Sequence, residues 1–542
     1  MVTKEEIDPA QAFESKLMSL NKTMDELTAR GDSEVQQFYH GTTVFVTGGS
    51  GFLGKQLVEK LFRATKVAKV FVLLRPKKGK QMLERLQEML KDPVFDILRD
   101  TQPDFIDKLV PIAGDVADMR LGISNKDWDT ITEETDIVMH MAATTRFDEP
   151  LRVATLINVR GAREALLLGK ACKKLKSYVH VSTAYAHACD FRINGDVLED
   201  FYKSPVDPEA LIKLAETTDE ERLNKISDNL ITNWPNTYSF AKAVAEETVK
   251  TLGENMPLCI VRPAIVVPAK REPRPGWTDI SNVYGASGTM AGSGLGLMHA
   301  LFTDNETRVG LIPVDYVNNT TIAAAYETAK RVAAGDNSIK IYTVTGSTRN
   351  PAKWGKLHEY ISTESRKYTT PLAVFYGFAW QTTNPIIFWI YSWLLHLIPA
   401  YVVDAVCFAI GKERRFVKIY KKMYKLQVVL SYFTCFQWRF IDDNTAKLFD
   451  SLSETDKVIF EFDVNKIDWK EYMVIWYVGI RKYIFKDGLK GTVKGVQRQQ
   501  IFKYLSFFII GPLYFYALFK LFFWSLLALC YTSRYLLSIK LF

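Results

Sequence analysis

The chain of 542 residues is longer than one hydrophobic core ordinarily supports, so two or three structural units are expected. With 48% hydrophobic and only 24% charged residues it reads as a folded protein with some membrane-grade segments, which argues against a disordered chain. The net charge of +8 fits anionic lipid, nucleic acid or a phosphate-rich cofactor alike; six scattered cysteines without CxxC spacing or paired histidines argue against a zinc site and a disulfide framework.

Residues 1–40 mix acids and bases and lack the apolar core of a secretory signal, so the catalytic part is expected in the cytosol. The stretch Ile7 to Leu27 suits a short surface helix or a leader without function. Over residues 41–267, short apolar runs alternate with helical patterns, the mark of repeated βαβ units. Expected strands begin at Val44, Lys69, Lys108, Asp136, Ser177 and Pro257. The fold class is therefore α/β, a Rossmann-type doubly wound parallel sheet. Residues 268–365 read as substrate-binding loops, REPRPGW and GASGTMAGSGLG, with a return strand from Ile341.

Residues 366–411 form an aromatic-rich hydrophobic segment, uncharged from Pro371 to Val403 but broken by Gln381, Thr382, Thr383 and Asn384. A buried or interfacial helix, suited to an acyl-chain groove or a membrane surface, is weighed slightly ahead of a span. Residues 412–503 have the pattern of a helical C-terminal domain with a basic end. In 504–542 the only charge before Arg534 is Lys520, so this stretch is expected to be a C-terminal membrane anchor, as one span or a hairpin.

The first strand runs into TGGSGFLG, glycines at 48, 51 and 54, and an apolar helical stripe. Such a turn lets backbone amides approach a pyrophosphate at a helix N-terminus, so Thr47, Gly48, Ser50, Gly51, Phe52, Leu53 and Gly54 are candidate cofactor contacts. Where an acid would bind the ribose of NAD, the second strand ends in LLRPKKGK; Arg75, with Lys77 or Lys78, suits a 2′-phosphate, so NADPH is preferred. Asp115, at the end of the third strand, is placed near adenine. His140 reads as a packed strand residue. Asn158 either braces the active-site backbone or faces solvent.

In NTYSFAKAVAEE, Tyr238 and Lys242 are one helical turn apart and share a face. A neighbouring ammonium is expected to lower the phenol pKa and fit it for proton exchange. STAY, at the end of the fifth strand, offers Thr183 as a hydrogen-bond donor to a substrate carbonyl, ahead of Ser182 because neighbouring strand side chains point oppositely. YxxxK alone recurs by chance, and a lone strand-end hydroxyl is usually a cap; the three elements in this order carry the reading.

TGGSGFLG, STAY and YxxxK together resemble the extended short-chain dehydrogenase/reductase superfamily. HMAATTRFDEPLRVATLINVRGAREAL, HVSTAYAHA, VRPAIVVPAKREPRPGWTDI, IPVDYVNN and FDVNKIDWKEYMVIWYVGIRKYIFKD narrow the resemblance to fatty acyl-CoA reductases. It implies cofactor contacts at Gly48, Gly51, Gly54, Arg75 and Asp115, catalysis by Thr183, Tyr238 and Lys242, and no metal. The expected reaction is reduction of a long-chain fatty acyl-CoA through an aldehyde to the alcohol. Expected partners are that thioester and membrane lipid, not nucleic acid; a homodimer is allowed. The family lysine expected in the AGSGLGLMHA loop is absent, which leaves Arg146, Lys270, Arg271 or Arg274 as CoA-phosphate candidates. The endoplasmic reticulum is the first expected membrane and the peroxisome the second. The rivals are another membrane-bound extended reductase, for sterols or sugar nucleotides, and a catalytically silent scaffold.

Overall fold

The computed structural model describes residues 7–76, 81–283 and 285–539. Seven strands form one sheet: β1 (Thr43–Thr47), β2 (Lys69–Leu74), β3 (Leu109–Ala113), β4 (Ile137–His140), β5 (Ser177–Val181), β6 (Leu258–Pro263) and β7 (Lys340–Val344). All pair in parallel, in the order 3-2-1-4-5-6-7, so every strand expected from the apolar runs is present. The order reverses between β1 and β4, which opens a crevice at the carboxyl edge.

The helices that cover the sheet are α1 (Phe52–Ala64), α2 (Gly161–Ala171), α3 (Thr237–Leu252) and α4 (Val314–Ala333). Val44 and Val46 join α1 and α4 in one core, while Phe45, Val138 and Tyr178 meet α2 and α3 in the other. This two-sided burial is why the strands read as unbroken apolar runs rather than alternating ones. Helix α4 is buried at every residue from Val314 to Ala325, so it has no solvent face to give it an amphipathic signature.

Two segments expected as substrate loops are ordered differently. GASGTMAGSG forms the helix Ala286–Gly294, whose Gly294 leaves room for the Tyr477 ring; a Cβ there would lie 2.5 Å from it. The REPRPGW stretch is clamped. The Asp315 carboxylate accepts the amides of Lys270, Arg271 and Glu272, and Glu272 pairs with Lys60 at 2.6 Å and Arg63 at 2.7 Å. Burial pushes the Lys60 ammonium down to about 8, whereas the two cations outweigh burial at Glu272 and hold it at about 2.

The C-terminal half continues with α5 (Pro385–Ser392), joined without a break through the π-helical turn Trp393–Leu397 to α6 (Ile398–Ala409), then α7 (Phe416–Cys435), α8 (Trp469–Gly479), α9 (Thr492–Leu505) and α10 (Gly511–Ile539). Two helical stretches, Pro385–Ala409 and Thr492–Ser533, are long and apolar enough to cross a membrane. The second runs unbroken through Pro512 and Lys520, which fits one span better than a hairpin. Residues 9–39, where a surface helix or a leader was expected, form three packed helices, Pro9–Ser19, Lys22–Arg30 and Glu34–Tyr39. Tyr39 is fully buried and donates to the Ile322 carbonyl at 3.0 Å.

Candidate active site

The glycine turn follows β1. Gly48 has a φ of +74°, and a Cβ there would lie 2.7 Å from the Ala142 amide, so both conformation and space demand glycine. A Cβ on Gly54 would meet the Gly48 carbonyl oxygen at 2.2 Å, which is how α1 comes so close to the strand. Gly51 caps α1 without any side-chain hydrogen bond, and a Cβ on it would meet only the Gly48 oxygen, at 3.3 Å. The first amides of α1 are therefore left without a side-chain cap beside exposed Ser50 and Gly51, the opening that a pyrophosphate requires. Phe52 stacks on Trp277 at 5.2 Å, and the Leu53 carbonyl accepts from Asn318 at 2.9 Å; both fix the direction of the helix.

Thr47 is fully buried. Its hydroxyl bonds His140 Nδ1 at 2.9 Å and accepts the Ala142 amide at 3.2 Å, so the side chain braces the turn from within rather than facing the cleft. At the adenosine end, Arg75 Nε pairs with Asp115 at 2.8 Å. Arg75 stays 59% exposed, within reach of a phosphate. Lys77 and Lys78 lie outside the described residues.

Tyr238 is the second residue of α3, whose N-cap Asn236 accepts the Ser239 amide. One turn on, Lys242 Nζ donates to the Val181 carbonyl at 2.8 Å, at the carboxyl end of β5. Tyr238 shares a hydrogen bond with the Thr183 hydroxyl, which also donates to the Pro263 carbonyl at 3.3 Å. Ser182 points the other way and donates to Glu246 at 2.5 Å. Strand alternation thus puts the Thr183 hydroxyl against Tyr238 and the Ser182 hydroxyl against Glu246.

The expectation for the phenol pKa needs correcting. Burial pushes Tyr238 up to about 12, Thr183 pulls only partly against it, and the Lys242 ammonium is turned toward Val181 rather than toward the phenol. Burial brings Lys242 down to about 8, with Glu246 opposing. At neutral pH the site holds a protonated phenol beside an ammonium, a state that can donate a proton but not accept one.

Behind these groups lies a buried ionic cluster that motif reading missed. Burial alone would raise the Glu246 carboxyl, but Arg262 and His187 hold it well below its ordinary value. Arg262 reaches Glu246 at 2.6 and 2.9 Å, and His187 does so at 2.9 Å. Its only sequence signal is Glu246 following Lys242 by one turn. His140 and His180 stack between sheet and α3 with centroids 5.5 Å apart; burial, then Lys242, pushes His140 down to about 3 and His180 well below its normal value. His140 is thus the packed strand residue expected. Asn158 is buried too, and brackets Thr144 through its amide and carbonyl at 3.0 and 3.1 Å, which fixes the loop after β4.

An aromatic wall covers the phenol: Phe147 lies 6.2 Å from Tyr238, Phe433 of α7 lies 5.3 Å from Phe147, and Tyr185 packs edge-on to Phe433. Of the CoA-phosphate candidates, Lys270 and Arg271 are spent internally, Lys270 on Tyr316 and Lys466, Arg271 on Asn21 and Leu20. Arg146 stays 71% exposed beside Phe147. Among the described residues no group of three His, Cys, Asp or Glu side chains could hold a metal.

Residues 46–321 match the NAD-binding family model described as male sterility protein, and residues 395–487 match the Sterile model of the same description. Over 504 residues the chain is 36% identical to the fatty acyl-CoA reductase wat of Drosophila melanogaster, covering 91% of this chain and 95% of that protein. It is 37% identical over 458 residues to fatty acyl-CoA reductase 1 of Xenopus laevis, covering 84% and 87%. The chain belongs to the fatty acyl-CoA reductase family. As a member it is an oxidoreductase with a NAD(P)-binding domain, consistent with the glycine turn. The fold of this reductase is also that of the terminal R domain of the myxalamid PKS-NRPS pathway (TM-score 0.53, 17% identity, covering 85% and 97%). A second such fold is the reductase domain of a non-ribosomal peptide synthetase from Mycobacterium tuberculosis (TM-score 0.53, 15% identity, covering 86% and 99%).

Proposed function

We propose that this family member reduces long-chain fatty acyl-CoA to the primary alcohol with NADPH, through an aldehyde and with release of CoA, from a cytosolic body held at a membrane by α10. The observation that carries the reading is the meeting of the Thr183 and Tyr238 hydroxyls beyond β5, across β4 from the glycine turn.

The turn amides at Gly51 to Leu53 would hold the cofactor pyrophosphate, Asp115 and Arg75 its adenosine end, and Arg75 favours NADPH through the 2′-phosphate. Bound NADPH supplies hydride to the carbonyl carbon. Tyr238 and Thr183 donate hydrogen bonds to the carbonyl oxygen as negative charge develops on it. Tyr238, protonated at neutral pH, then gives that oxygen its proton, and the Thr183 hydroxyl, which pulls the phenol down against burial, steadies the phenolate that remains, while Lys242 would hold the cofactor ribose. Collapse of the resulting hemithioacetal expels the CoA thiol and leaves an aldehyde, which a second equivalent of NADPH held at the same turn would reduce with the same two donors on its oxygen. The wall of Phe147, Phe433 and Tyr185 excludes water and offers apolar surface to an acyl chain.

Membrane attachment suits such a substrate, whose chain gains about 0.8 kcal/mol per buried CH₂. The endoplasmic reticulum is the membrane proposed, ahead of the peroxisome. Purified protein given NADPH and palmitoyl-CoA should form hexadecanol, more slowly with NADH; turnover of a hydroxysteroid without any acyl-CoA reduction would overturn the reading.

A further inference from the structure

Helices α5 and α6 pack on α7 along one side only. Phe388 stacks on Tyr424 at 5.3 Å, His396 stacks on Tyr420 at 4.8 Å, and Leu397 and Ala400 close a small core with Tyr420. The opposite side faces outward: Ile386 is 69% exposed, Val402 60% and Phe408 68%. Between Pro385 and Gly411 the one charged residue is Asp404, and its carboxylate is consumed at the N-terminus of α7 by the amides of Arg415, Phe416 and Val417 at 3.0–3.1 Å. The outward face of this continuous helix is apolar and uncharged.

Directly after it the charge inverts. Lys412, Arg414, Lys418, Lys421 and Lys422 are all exposed, and none has a carboxylate within ion-pair distance among the described residues. The lone local acid, Glu413, pairs with Arg415. Lys418, Lys421, Lys422 and Lys425 recur at the spacing of one helical face. An apolar ledge edged by unpaired cations has the complementarity of a phospholipid leaflet with anionic headgroups. The ledge also adjoins the proposed anchor, since the Tyr514 hydroxyl donates to the Leu394 carbonyl at 2.5 Å and Phe507 packs on Tyr376 at 5.9 Å.

We infer that the continuous helix α5–α6 with the basic half of α7 is an internal contact with an anionic phospholipid surface, separate from the terminal helix. The inference rests on the reading of α10 as a membrane anchor and adds what the anchor lacks, a fixed orientation of the catalytic body. Helix α7 carries that orientation to the chemistry: its Lys418 side meets headgroups, and Phe433, 15 residues or ~22 Å further on, abuts Phe147 beside Tyr238. The mouth of the site is thereby held toward the leaflet from which an acyl chain is drawn.

The test uses the full chain in nanodiscs of phosphatidylcholine with or without phosphatidylserine, doped with a phospholipid that bears a diazirine in its acyl chain. After photolysis, lipid label is mapped by peptide mass spectrometry. The expected result is label on peptides within 386–410 as well as on α10. In discs with phosphatidylserine, the triple variant Lys418→Glu, Lys421→Glu, Lys422→Glu should lose the label on 386–410 at least ~5-fold, the α10 label being unchanged. These lysines are exposed, and 0.5 M salt on the unaltered protein should give the same selective loss without any substitution. Label on α10 alone, or cross-links from 386–410 to a second copy of the chain in place of lipid, would overturn the inference. Label on 386–410 but none on α10 would instead remove the anchor reading and leave the α5–α6 contact standing.

Discussion

The glycine turn separates two roles that one motif usually blurs, and paired alanine substitutions measure each. In Gly54→Ala the new methyl meets backbone atoms, the Gly48 oxygen at 2.2 Å and Gly49 Cα at 2.5 Å, with no flexible side chain to yield. The helix must retreat by roughly 1 Å, an overpacking cost of about 1–3 kcal/mol, and the turn amides retreat with it. In Gly51→Ala the methyl meets only the Gly48 oxygen at 3.3 Å, and the backbone at φ −83°, ψ 178° accepts alanine. That variant should keep its stability to within about 1 kcal/mol, yet its methyl stands where a pyrophosphate must approach. Losing two amide–phosphate bonds of about 1.5 kcal/mol each corresponds to roughly 100-fold weaker NADPH binding. Titration of NADPH by fluorescence, beside thermal unfolding in the same detergent, reads both quantities. Unchanged NADPH affinity in Gly51→Ala would place the pyrophosphate elsewhere, and wild-type stability in Gly54→Ala would refute the packing argument.

Tyr238→Phe should cut alcohol formation by ~10²–10⁴ and Thr183→Val by ~10²–10³, both in kcat with KM little changed, as followed by NADPH oxidation. Because Lys242 is held near 8, below its ordinary 10.5, its ammonium loses its proton as pH rises through about 8, so kcat/KM should fall there. Lys242→Arg should move that limb beyond pH 10; an unmoved limb would assign it to another group. The same depressed value costs stability below pH 8 and relieves that cost between 8 and 10.5, where the unfolded chain alone holds the proton. Glu246→Leu leaves Arg262 buried without its partner and should destabilise by about 3–5 kcal/mol, whereas the double variant with Arg262→Leu should lose less than the sum; additive losses in thermal unfolding would deny the coupling. Arg75→Ser should raise the Kd for NADPH about tenfold and leave that for NADH nearly unchanged in side-by-side titrations.

The sheet was readable because strands buried on both faces leave apolar runs bounded by turns, and because Gly48, Gly51 and Gly54 sit between a strand and a helix. Thr183, Tyr238 and Lys242 were readable for a related reason: strand end and helix turn fix their side-chain directions locally. Helix α4 was not, since burial all round erases the period that marks a helix. Nor were the Arg262–Glu246–His187 cluster and the Phe147–Phe433 wall, whose members are 16, 59 and 286 positions apart and meet only through tertiary packing. The Tyr238 pKa was misjudged in sign because spacing shows that Lys242 shares its face but not which carbonyl the ammonium will choose.

The N-terminal helix has one further consequence. Asp8 receives the amide and hydroxyl of Thr492, Glu14 pairs with Lys482, and Ala10 packs with Val474 and Val478. Asp8 and Glu14 thus complete these contacts only with residues that emerge 484 and 468 positions later, the first of them at the foot of α9. Native closure waits until residue 492 has emerged, and a protein fused or trimmed near residue 8 is altered where the catalytic body joins its stalk.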